Sequence, residues 1–80
     1  MINNNSKSIE TKSLEVIRLS TPERSRMYTF SNEETITFWD VTAITVSKSG
    51  THRLETADGK KHIVPPKWLY ITIEAESWSF

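Results

Sequence analysis

Apolar and polar residues alternate along the second half of the chain in short runs separated by turn residues. Residues 35–39, 42–46, 51–56, 61–64 and 69–73 are rich in β-branched and aromatic side chains, the composition of strands. Leu69, Ile71 and Ile73 make one apolar face while Tyr70, Thr72 and Glu74 make the other, which predicts a half-buried strand of an antiparallel sheet. Gly50 follows Lys48 and Ser49, and Gly59 follows Ala57 and Asp58. Each glycine can take the positive φ that closes a hairpin.

The pattern also proposes registers. A three-residue loop of Lys48, Ser49 and Gly50 sets Ile44 opposite Leu54 and Val46 opposite His52. Alternation breaks between Phe38 and Val41, where a bend or bulge is expected. For the second hairpin, a two-residue turn at Asp58 and Gly59 sets Leu54 opposite Ile63 and Glu55 opposite His62, with His52 and His62 on opposite faces. A three-residue loop that includes Ala57 brings both histidines to one face as diagonal neighbours. The first register pairs apolar with apolar and is the one expected.

Upstream, structure is expected from Leu14, and residues 27–30 resume an extended pattern after a break. Ser20, Pro22 and Glu23 combine a serine N-cap, a first-turn proline and a glutamate three residues beyond the serine, so one helical turn near Pro22 is the most helix the chain predicts. Residues 1–12 are polar, include three consecutive asparagines, and read as a flexible tail. The fold expected is all-β. Residues 13–80 would form one small antiparallel sheet or open barrel of five to seven short strands.

Composition narrows function by exclusion. In 80 residues a single core supplies only about 3–5 kcal/mol. Without cysteine there is neither a disulfide nor a thiolate metal site, and two histidines are a thin basis for a metal. Self-association is therefore the most available further source of stability, and a homo-oligomer is expected. Ten basic residues balance ten acidic ones, which gives no global attraction to nucleic acid or an anionic membrane. No run resembles a signal peptide or approaches the roughly 20 apolar residues of a membrane span, so the expected location is the cytoplasm.

Catalytic chemistry finds no constellation. Glu33, Glu34, Glu55, Asp58, Glu74 and Glu76 are scattered over turns and strand edges, and both glycines serve hairpins rather than a phosphate loop. The chain reads as a non-enzyme without a cofactor. Nucleic-acid binding is the alternative function, through Lys60, Lys61 and His62 beside Lys67, Trp68 and Tyr70, with Arg24, Arg26 and Tyr28 as a second group. Trp68, following two prolines, also reads simply as a core anchor.

Protein binding is the first reading. Three tryptophans, two tyrosines and three phenylalanines are many rings for a core of this size, and rings that reach the surface anchor interfaces. Trp39, Lys67, Tyr70, Trp78 and Phe80 are the residues assigned to a protein partner or to self-association. Trp78 and Phe80 would cover either the chain's own sheet or a neighbour's. In general character the chain resembles small accessory proteins of phages and mobile elements, some of which inhibit host defence by occupying a protein surface. That resemblance implies a non-catalytic inhibitor or adaptor.

Overall fold

A computed structural model of the chain describes residues 15–78; the tail assigned to residues 1–12 and Phe80 lie outside the described residues. Five strands, β1 (Glu15–Phe30), β2 (Thr35–Val46), β3 (His52–Thr56), β4 (Lys61–Val64) and β5 (Trp68–Glu74), form one open sheet in the order β4-β3-β2-β1-β5. Every neighbouring pair is antiparallel. The described residues contain no helix.

β1 is continuous where a break or helical turn was expected. Arg18 pairs with Ala43 and Glu23 with Val41, so residues 19–22 bulge opposite Thr42 alone. Pro22 has no N–H to give to a ladder, and a bulge is where a strand tolerates it. Glu23 does not cap a helix. Its carboxylate binds Arg26 instead.

The next few residues make a crease in both strands at once. Phe38 and Val41 both pack in the core, with exposed Trp39 and Asp40 between them. On β1, Glu23 and Arg26 are both buried, and they pair with Val41 and Phe38. A three-residue step between inward positions breaks the period of two, and Asp40 accommodates it at φ 56°. The Ala57 N–H donates to the Asp40 carbonyl at 2.9 Å, which ties the crease to the end of β3. The break expected between Phe38 and Val41 is therefore present.

The creased sheet curls around its own inner face. Three ladder spacings separate β3 from β5, about 14 Å on a flat sheet. Yet the His52 and Trp68 rings lie 4.6 Å apart, and Tyr28 stacks edge-on to Trp68 at 4.9 Å. Tyr28, Val41, Ile44, Leu54 and Val64 are the buried core, with Leu19, Phe30, Phe38, Val46, Trp68 and Ile71 packed on it. Every strand contributes.

The first hairpin has the expected register, with Ile44 opposite Leu54, Val46 opposite His52 and Gly50 at φ 91°. The second does not. Leu54 faces His62 and Glu55 faces Lys61, so the loop is Ala57, Asp58 and Gly59, with Gly59 at φ 87°. Asp58 organises that loop by accepting from the Thr56 hydroxyl at 2.6 Å and the Lys60 N–H at 3.1 Å, and these bonds hold its carboxyl below the usual carboxylate range. Pairing apolar with apolar loses because His62 is satisfied inside. Its ring tilts on Phe38 at 4.7 Å and its Nε2 lies 3.2 Å from the Thr56 hydroxyl, while Ile63 is left exposed.

β5 corrects one further expectation. Thr29 pairs with Tyr70 and Phe30 with Trp68, so Leu69 is a bulged residue. Trp68 takes the inner position as the core anchor, and Leu69 is pushed into the open.

The two loop glycines should differ in their response to alanine. Both substitutions place a side chain at positive φ, which costs about 1–3 kcal/mol. A Cβ on Gly59 meets nothing, whereas one on Gly50 comes within 3.3 Å of the Pro66 Cβ. Urea unfolding should rank Gly50→Ala below Gly59→Ala and both below the parent; a parent-like midpoint for Gly50→Ala would contradict the hairpin geometry.

Candidate interaction surfaces

The titratable groups with the most unusual surroundings are inside. Glu23 and Arg26 are 1% and 0% exposed, and they form a bidentate pair, Nε to Oε1 at 2.8 Å and Nη2 to Oε2 at 2.7 Å. The Tyr28 hydroxyl lies 2.8 Å from His52 Nδ1, and Arg26 also reaches that hydroxyl. Burial raises the Tyr28 pKa despite the neighbouring Arg26. Burial, helped by the Arg26 charge and opposed by Glu23, lowers that of His52 to about 4. His52 is therefore a neutral core residue at pH 7.

The two histidines do share the inner face, against the register first expected. Their rings are engaged separately, His52 with Tyr28 and Trp68, His62 with Phe38 and Thr56. Among the described residues no group of three or more metal-ligating side chains gathers. Glu23, Arg26 and Tyr28 were read from the sequence in other roles, and one pattern signalled their place in this network. Arg26 occurs two before Tyr28 and four before Phe30, which puts its side chain on the apolar face of an extended strand.

Across the sheet, the outer face of β2, β1 and β5 has a different character. Ladder pairing aligns three rows: Trp39, Ser25 and Glu74; Thr37, Met27 and Thr72; Thr35, Thr29 and Tyr70. Glu74 carries the one charge in these rows, and it accepts from the Ser25 hydroxyl at 3.3 Å. Trp39 and Tyr70 stand at diagonal corners, 63% and 57% exposed. The outer face of β3 and β4 instead mixes charge with exposed Ile63, and Glu55 there pairs with Lys61 at 3.8 Å and with Arg18 of β1 at 3.4 Å.

The residues of the nucleic-acid reading do not come together. Lys60 and Lys61 are exposed beside the second hairpin, His62 and Trp68 turn toward the core, and Lys67 and Tyr70 belong to the opposite edge of the sheet. Of the second group, Arg26 and Tyr28 are fully buried and only Arg24 is exposed. Among the residues expected to bind protein, Trp39 and Tyr70 share the outer face, and Lys67 is exposed just before β5. Trp78 is 96% exposed and does not fold over its own sheet. No protein-family model matches the chain, and no curated protein or solved structure matches it either.

The buried network makes two measurable demands. Unfolded, His52 takes a proton near its ordinary 6.5; folded, only near 4. Its stabilising contribution is full above pH 6.5 and is lost as pH falls toward 4, amounting to up to about 3 kcal/mol. Between pH 7 and 4.5 the parent should lose about 2–3 kcal/mol more than His52→Gln in chemical denaturation; equal losses would mean that His52 is not desolvated. Removing one charge of the buried pair should be worse than removing both. Arg26→Met should cost about 3–5 kcal/mol, and Glu23→Leu added to it should restore part of that loss. Additive losses would show that the two charges are not coupled.

Proposed function

We propose that this chain is a non-catalytic binding module that docks another protein on the outer face of β2, β1 and β5. One observation carries the reading: Trp39 and Tyr70 are exposed at opposite corners of a patch whose other positions are threonine, serine and methionine, with Glu74 at its edge. Strands about 4.8 Å apart and same-face residues about 7 Å apart give this patch a regular spacing. Large rings supply most of the energy of an interface, and their surroundings need only exclude water without burying unpaired charge. A sheet face also changes little on binding, so little conformational freedom is lost.

The inward chemistry supports the same reading. The buried groups with shifted pKa values include Tyr28 and His52, which stack on each other and on Trp68 in the core, while exposed Asp58 is tied into its own hairpin loop, so these groups hold the fold together rather than meet a substrate. Occupying a protein surface is also what the accessory-protein likeness implies.

Capture from host extract with three baits tests the proposal. A protein held by the parent should be lost with Trp39→Ser plus Tyr70→Ser and kept with Lys60→Glu plus Lys61→Glu; both changes are at exposed positions, so melting temperatures should stay close to the parent's. Loss with the lysine pair instead, together with oligonucleotide binding that weakens steeply with salt, would replace this reading with the nucleic-acid one.

A further inference from the structure

The sheet is open, so β4 and β5 each leave one side unpaired. The two edges are not equally protected. β4 has four residues, begins with Lys61, and is followed by Pro65 and Pro66, the kinds of residue that discourage further pairing. β5 has seven residues with no proline and no lysine among them. Beside it runs an open groove of about 490 Å³ lined by Ile71, Thr72, Ile73, Ala75, Glu76 and Trp78. No strand among the described residues pairs with this edge.

We propose that two copies of the chain join antiparallel along the free edge of β5, around a two-fold axis at Ile71. The axis is fixed by the face pattern and by charge. A two-fold perpendicular to the sheet pairs inner residues with inner and outer with outer. With Ile71 at the centre, every residue of β5 except the bulged Leu69 is paired. Tyr70 faces the partner's Thr72 on the outer side, and because Leu69 is bulged, Trp68 faces the partner's Ile73 on the inner side. The same bulge sets exposed Lys67 opposite the partner's Glu74, and symmetry repeats that pairing at the other end. The strand is thus complementary to itself in pattern and in charge.

Two five-stranded sheets then become one of ten strands, and the two outer faces meet at Tyr70 and Thr72. Seven-residue edges bury less than the roughly 1,200 Å² of a standard interface, so the dimer is weak and depends on concentration. Tyr70 and Glu74 belong to both this contact and the docking face, but the dimer is measured on the purified protein alone, so its failure is distinguishable from failure of the docking reading.

Sedimentation equilibrium of the full chain from micromolar to millimolar concentration tests it. The mass should rise from the 9.2 kDa monomer and stop at the dimer. Lys67→Glu puts two like-charge pairs in the contact, as does Glu74→Lys, and each should weaken the dimer roughly tenfold. The double variant restores both pairs and should recover the parent's affinity, and so should an equimolar mixture of the two single variants. Both positions are exposed, so circular dichroism should show the parent's fold in every variant. A monomer at all concentrations, or a double variant no tighter than the single ones, would overturn the proposal.

Discussion

The curl of the sheet is the constraint on which everything else depends, because a single open sheet has no interior until it bends over itself. Its inner face carries Tyr28, Phe38, His52, His62 and Trp68, contributed by all five strands, and the rings meet because the crease at Glu23 to Arg26 and Phe38 to Val41 folds one half of the sheet over the other. The crease in turn depends on local chemistry. Pro22 cannot pair, Asp40 accepts a left-handed backbone, and Glu23 and Arg26, brought inward three residues apart, neutralise each other where water does not reach. Without the curl, those charges would be solvated and the rings exposed.

This arrangement divides the molecule's chemistry between two faces. Polar groups that would be reactive in a cleft are consumed in the core, where Arg26, Tyr28 and His52 satisfy one another. The outer face keeps large rings and neutral hydroxyls. In an 80-residue chain without disulfides this distribution gives one small sheet both a specific core and an exposed face that carries large rings.

The sequence was most legible where turn chemistry and alternation agree. Gly50 after Lys48 and Ser49 gave the first hairpin in register, and the adjacency of Phe38 and Trp39 located the crease. Reading failed where a polar side chain behaved as a core residue. His62 looked less suited than Ile63 to face Leu54, yet Phe38 and Thr56 satisfy it inside, and that shifted the second hairpin by one residue. Glu23 resembled a capping residue because its partner, Arg26, becomes a neighbour on the same face only once the strand is creased. Leu69 and Trp68 were indistinguishable by hydrophobicity, and the bulge that chose between them comes from pairing with β1. Of the surface, Trp39 and Tyr70 were named from the sequence, but their common face emerges only from the strand order.

Proton NMR of the parent protein tests the curl most directly. Nuclear Overhauser contacts between the His52 imidazole and the Trp68 indole, three ladders apart, are the expected result, together with contacts from Tyr28 to both rings. Their absence in a chain that retains the Ile44 to Leu54 and Tyr28 to Ile71 pairings would mean a flat sheet, and would contradict the account of both faces.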